Sequence, residues 1–235
     1  LQHPSTVHPP PCAAPMVSLF MTPSPSATAP IATKTPVIDQ HLSRSDLQRL
    51  LTEAPPNLEF ERCTFDGEDL SQLDLRGATF IGCTFADTAL EATMLTGTRW
   101  LDCRAARAQL QRADCTDARW HRCDLNNTDW TRARLSSALF AEVKLTGAHF
   151  HEAHTLGLEF HESLLVGADL RGLSFRKQTL AQLDLSEADL GGCDFRDALF
   201  EGGSLRDAHL KNTRFDGADL RGVDLGGLKL AQVAP

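Results

Sequence analysis

The chain has 235 residues, 42% of them apolar and 23% charged, with a formal charge of −8. Such values fit one soluble core and exclude a chain that is disordered throughout; no run nears the roughly 18 apolar residues of a membrane-spanning helix. The 31 acids against 23 bases argue against a general nucleic-acid-binding surface. Glycine and proline are segregated: all 16 Gly follow residue 56, while 11 of 12 Pro lie at or before it. Tyrosine is absent, although there are 12 Phe and 3 Trp.

Residues 1–42 read as a disordered leader rich in Pro, Ser and Thr, with Lys34 the one charge before residue 37. Such a stretch cannot bury enough apolar surface to offset its chain entropy. Its one apolar patch, from Met16 to Met21, is short for a secretory signal and lacks a basic segment before it. Residues 43–56 are expected to form a helix. Ser45 and Gln48 have capping-box spacing, Leu47, Leu50, Leu51 and Ala54 make one apolar stripe, and Pro55-Pro56 ends it. The helix is expected to cover the open end of the repetitive region after residue 56.

From Phe60 a period of five begins and runs without a slip to Leu230. Its 35 central positions hold 18 Leu, 11 Phe and 3 Trp; the exceptions are Ala105, Cys115 and Thr155. A second line, two residues earlier, carries 13 Ala, 6 Leu, 5 Cys, 5 Thr and 2 Val, with Glu68, Ser163, Gln178 and Gly203 as exceptions. Only Glu68 places a charge on either line. A five-residue step smears around an α-helix, and on a flat strand it switches face each time. The pattern therefore needs a corner in every repeat, so that the chain winds around its own large residues as a solenoid. Proline stops where coil-to-coil backbone bonds begin. Thirteen of the 16 Gly fall two residues after a central position, at the corners.

The repeat resembles the pentapeptide-repeat family, whose pattern is A(D/N)LXX. Ala168-Asp169-Leu170, Ala188-Asp189-Leu190 and Ala218-Asp219-Leu220 match it letter for letter. The resemblance covers about residues 57–232 and implies an all-β fold, a right-handed quadrilateral β-helix with four repeats per coil. On that reading residues 57–235 form a rod of about nine coils, ~42 Å long at roughly 4.8 Å per coil. A 20-residue coil stacks Phe60, Phe80, Trp100, Trp120, Phe140 and Phe160 into an aromatic ladder that resumes at Phe200. A tyrosine hydroxyl would lack a partner in so dry a stack.

The same coil length stacks Cys63, Cys83, Cys103 and Cys123 in one column. Thiols one per coil cannot surround a metal ion, so they read as small apolar filler in a reducing compartment. His149, His151, His154 and His161 cluster in sequence but are expected to point outward, with a bulge or bend at Thr155 and Gly157. No motif of catalytic, cofactor or metal chemistry is recognised, and an enzyme is not expected. Along the axis the charge is −6 over residues 57–95, +3 over 96–135 and −5 over 136–235. The basic zone comes from Arg99, Arg104, Arg107, Arg112, Arg119, Arg122, Arg132 and Arg134, which form a candidate partner-binding girdle.

The resemblance also bears on function. Phe80-Ile-Gly-Cys-Thr-Phe85 and Asp219-Leu-Arg-Gly-Val-Asp-Leu225 are similar to the wording of Qnr-type quinolone-resistance proteins. Those proteins look like B-form DNA in width and charge, and they bind DNA gyrase and topoisomerase IV. This implies a cytoplasmic, non-enzymatic DNA mimic with protein partners and no direct nucleic-acid contact. The leader supports a second reading, a secreted bacterial effector or secretion-associated adaptor that uses the rod as scaffold. Leu225 and Leu230 sit near an edge without an evident cap, which implies an end-to-end homodimer.

Overall fold

The computed structural model describes residues 36–53, 57–226 and 228. A two-residue strand, β1 (Val37–Ile38), and one helix, α1 (Arg44–Glu53), come first. Eight short strands then recur every 20 residues: β2 (Glu59–Glu61), β3 (Thr79–Ile81), β4 (Arg99–Leu101), β5 (Arg119–His121), β6 (Leu139–Ala141), β7 (Glu159–His161), β8 (Thr179–Ala181) and β9 (Leu199–Glu201). Paired strands are parallel and in register, with Phe60 beside Phe80 and Phe80 beside Trp100. Single parallel bridges at Thr64–Thr84, Asp69–Ala89 and Asp74–Met94 link the other three sides of the coil. The result is a four-faced parallel β-solenoid, its first face carrying the strands and the second, third and fourth carrying those bridges. Eight strand-bearing coils are described, with a ninth begun where Asp219 bridges to Leu199; Leu230, the last position of the expected nine coils, lies outside the described residues.

The corners explain the period. The second residue after each central position has positive φ, as at Gly67 (71°), Gly77 (69°), Gln72 (63°) and Asp87 (57°). At three corners of the first coil the next N–H returns to the central carbonyl: Glu68 to Phe65 at 3.1 Å, Leu73 to Leu70 at 3.3 Å and Ala78 to Leu75 at 3.1 Å. A closing bond with positive φ at the third residue is a type II turn. Among the described residues no β-branched side chain occupies this left-handed position, where it would be strained. At the fourth corner, after β2, β3 and β4, the thiol column does the closing. Cys83 Sγ reaches the Phe60 carbonyl at 3.5 Å and Cys103 Sγ that of Phe80 at 3.3 Å, and Ser163 Oγ lies 3.5 Å from that of Phe140. These thiols are weak donors as well as filler.

Inside the rod the first-face aromatics stack as expected. Ring centroids are 5.3 Å apart from Phe60 to Phe80, 4.3 Å from Phe80 to Trp100, 4.5 Å from Trp120 to Phe140 and 5.2 Å from Phe140 to Phe160. The indole N–H groups of Trp100 and Trp130 donate to Thr98 Oγ1 (3.0 Å) and Thr128 Oγ1 (2.7 Å), each two residues upstream. A dry core can hold an indole because the second line supplies the acceptor. Ala105 and Cys115, small exceptions on the central line, are buried in the coil of Trp100. They compensate the added volume, as close packing requires. Phe200 does not rejoin the ladder: Leu180 intervenes, and the Phe200 ring meets Phe195 on another face at 5.5 Å.

The amino-terminal edge differs from the sequence reading in two ways. The expected leader runs to residue 42, yet Val37 and Ile38 pair with Phe60 and Glu61, His41 bridges Thr64, and Leu42 is buried. Residues 1–35 of that leader lie outside the described residues. The helix cap is Ser43 rather than Ser45. Ser43 N donates to Asp46 Oδ2 (3.1 Å) and Asp46 N to Ser43 Oγ (3.3 Å), so Asp46 closes the box in place of Gln48. Leu47 is buried, with Leu50 and Leu51 packed against the core; Ala54, Pro55 and Pro56 lie outside the described residues. Glu68, the one acid on the second line, accepts the Arg44 N–H at 3.1 Å. Its charge serves a first-turn amide of α1.

The ladder breaks once among the described coils. β7 and β8 do not pair, and no bridge joins His154 to Ser174, whereas Leu164–Asp184 and His149–Asp169 stay bridged. The coils therefore open as a wedge at the corner between the fourth and first faces. The bulge or bend expected at Thr155 and Gly157 takes the form of this gap, the corner at Gly157 keeping the ordinary φ of 71°: Thr155 is half-buried and Leu156 is 85% exposed. Gln178, a polar exception on the second line, turns its amide to the gap, where Nε2 donates to the Leu158 carbonyl at 3.0 Å. Further along, Gly203 has φ of 86°, and a Cβ there would collide with the Leu183 carbonyl oxygen.

Candidate interaction surface

Because the core admits almost no polar group, chemistry can sit only on the four faces and their corners. The residue before each central position is often Asp, and its carboxylate is committed first to the backbone. Asp69 Oδ1 accepts Ser71 N at 2.9 Å, Asp129 Oδ1 accepts Thr131 N at 2.8 Å, and Asp189 Oδ1 accepts Gly191 N at 3.0 Å. Where Arg follows the central residue it adds a fork to the same carboxylate, as in Asp169–Arg171, Asp194–Arg196 and Asp219–Arg221. Those arginine bonds, helped by the backbone N–H, hold the Asp194 and Asp219 carboxyls down at about 2.

The arginine girdle resolves into two groups. Arg107 pairs with Asp87 (2.6 Å), Arg112 with Glu91 (3.1 Å), Arg122 with Asp102 (2.7 Å), Arg132 with Glu152 (2.6 Å) and Arg134 with Asp114 (3.5 Å). Most of these partners are 20 residues apart, which is one coil. That spacing of opposite charges is visible in the sequence once the coil length is known. Arg99, Arg104 and Arg119 are exposed, and no acid lies within ion-pair distance of them among the described residues. Five members of the girdle thus tie coils together, and three face outward uncompensated.

The acids are also unequally placed. On the third face, the residues flanking the central positions include Asp69, Glu91, Asp129, Asp169 and Asp189 against Arg171 and Lys211. The fourth face carries Asp74, Asp114, Asp194 and Asp216 against Arg76, Arg134, Arg176, Arg196 and Arg214. By the residues flanking the central positions the third face is the more acidic of the two, although Arg44, Arg112 and Arg171 pair with Asp69, Glu91, Asp169 and Asp189.

The histidines do not converge. His149 and His151 lie on the third face, His154 on the fourth and His161 on the first. His151 and His161 stand beside Glu152 (3.3 Å) and Glu159 (3.4 Å). No group of three metal-ligating side chains forms among the described residues. Cys63, Cys83, Cys103, Cys115, Cys123 and Cys193 are buried free thiols. Burial pushes the Cys193 thiol up to about 12, and thiol–thiol contact together with burial raises Cys83. Such groups are poor nucleophiles. No described helix is long and apolar enough to cross a membrane.

Comparison with known proteins agrees with this geometry. A family model described as a pentapeptide repeat region matches residues 57–130. A second, described as pentapeptide repeats in eight copies, matches residues 118–154, 159–197 and 188–227. No curated protein sequence matches. Among solved structures, trypsin-treated QnrB1, a plasmid-mediated fluoroquinolone resistance protein, aligns with a TM-score of 0.53 at 19% identity, covering 84% of this chain and 86% of that one. A second trypsin-treated QnrB1 gives 0.53 at 18% identity, with 85% and 89% covered. HetL, a pentapeptide repeat protein involved in heterocyst differentiation regulation from the cyanobacterium Nostoc, gives 0.48 at 19% identity, with 79% and 95% covered.

Proposed function

The chain belongs to the pentapeptide-repeat family, and on that premise we propose that it acts by binding a protein partner along its rod, not by catalysis. The core is closed and apolar, its thiols are poor nucleophiles, and the variable chemistry lies on flat faces a rigid scaffold displays.

The finer reading is a DNA mimic that docks on DNA gyrase or topoisomerase IV and shields it from quinolone-type inhibitors. One observation supports it above the others: the more acidic third face, where carboxylates recur along the axis. A one-sided row of carboxylates can follow a groove that normally takes the phosphates of a duplex. Supercoiling by purified gyrase, with and without a quinolone, tests this. Micromolar protein is expected to inhibit supercoiling or relieve the drug. Asp129→Asn/Asp169→Asn/Asp189→Asn keeps an oxygen for each backbone bond while removing three charges. It is expected to weaken the effect about tenfold or more. An unchanged reaction with the native protein would remove the gyrase assignment.

A further inference from the structure

We infer that the first face around Arg99 and Arg119 is a docking site for a short acidic polypeptide segment. This rests on the reading of the rod as a binding scaffold, not on the gyrase assignment.

Thr79, Arg99, Arg119 and Leu139 are successive partners in one parallel ladder. Strands about 4.8 Å apart therefore set the two arginines directly one above the other. Like charges in register repel, and five other girdle arginines avoid the arrangement by each taking an acid. Arg107, Arg112, Arg122, Arg132 and Arg134 all have one. Round the corner, Arg104 extends the positive strip on the second face. Its ladder neighbour Asp124 is turned toward Asn126 N, at 3.2 Å. On the face itself the other neighbours bring no unengaged acid: Ile81, Leu101, Leu139 and Ala141 are apolar, and His121 is held by Glu142 at 3.0 Å; Asp117, at the corner before Arg119, makes no ion pair with it.

The boundaries of the strip select the ligand. Two coils before Arg99 stand Glu59 and Glu61, and two coils after Arg119 stands Glu159. Both lie roughly 10 Å away, about one Debye length. A long uniform polyanion laid along the face would meet those acids at each end. A segment with two or three carboxylates and apolar neighbours meets none of them. It places its charges on Arg99, Arg119 and Arg104 and its apolar side chains against Ile81 and Leu101. Arginine suits the role because its fork binds carboxylates bidentately.

The test uses the full chain and a fluorescent peptide of about six residues alternating Glu and Leu, read by anisotropy. The native protein is expected to bind it, more weakly as salt rises from about 50 to about 300 mM. Arg99→Glu/Arg119→Glu is expected to weaken binding about tenfold or more, and Arg107→Glu less than about twofold. Circular dichroism of each variant checks that the rod persists. A labelled oligothymidine of equal length and sedimentation of the protein alone complete the set. Equal peptide binding by the double variant, or no binding by the native protein, overturns the proposal. Tighter oligothymidine binding that depends on the same arginines overturns it in favour of a nucleic-acid site. Self-association abolished by the double variant overturns it in favour of a second copy. Loss of the gyrase effect with peptide binding intact leaves this site standing and removes only the gyrase assignment.

Discussion

The coils before the wedge and those after it use one repeat but differ in how they hold together. From Phe60 to Phe160 the first-face aromatics stack coil upon coil, and β1 to β7 form one continuous sheet. After the wedge, β8 and β9 pair with each other and not with β7, and the aromatic stack moves to the fourth face as Phe175, Phe195 and Phe215. Two faces bridge the gap between the segments, and two do not. In a solenoid, stability is close to a sum of repeat terms and nearest-neighbour interfaces. A weakened interface at one place therefore marks where cooperativity divides.

The strongest way to break this comparison is to hollow each segment in turn. Phe140→Ala and Phe195→Ala remove equivalent buried rings, each expected to cost about 3–5 kcal/mol. If the wedge divides the rod, Phe195→Ala unfolds the later coils first. Hydrogen exchange would then show residues 179–226 opening while residues 57–153 stay protected. Phe140→Ala strikes the longer segment and is expected to lower the main transition. A single coincident transition in both variants would show that the wedge does not divide the rod.

A smaller effect sharpens the same point. Gln178→Ala deprives the Leu158 carbonyl of its donor, leaving a buried acceptor unpaired at about 1–3 kcal/mol. Faster exchange is expected near residues 154–179 and little change near β3 or β4. A uniform loss of protection along the rod would mean that Gln178 acts on global stability and not on the gap.

Much of this difference is legible in the sequence, and the reasons for the remainder are physical. The period determines which side chains point inward, so Thr155 stands out as a central residue that cannot fill its place. Gln178 is just as visible on the second line, yet its role needs the gap, and a gap arises only when coils stack. Arg107–Asp87 and Arg122–Asp102 are 20 residues apart in plain view, but pairing is set by rotamers that periodicity does not specify. The cap falls at Ser43 and not at Ser45, although both serines suit the role. The choice depends on where β1 leaves the chain after pairing with Phe60 and Glu61. The acid at Glu68 makes no sense on its own line until the α1 amide is placed against it.

The smallest expected effect concerns acid. Asp194 and Asp219, both beyond the wedge, sit at about 2, below their ordinary 3.8, because Arg196 and Arg221 bind the ionised form. A carboxyl depressed on folding stabilises the fold above its unfolded pKa, and that contribution fades as pH falls through the folded value. The window thus runs from about 4 down to about 2. Asp69, Asp74 and Asp102 are lowered as well, so the earlier coils also soften in acid. Asp194→Asn/Asp219→Asn keeps an acceptor for each backbone N–H while removing the titration. Melting of the later coils in this variant is expected to vary less between about pH 4 and about pH 2 than in the native chain. The earlier coils should respond as before, since their carboxylates are untouched. Exposed ion pairs contribute little each, so the shift should be smaller than that of Gln178→Ala. An equal change in both segments would mean that the wedge transmits what these pairs supply and that the two regions titrate as one.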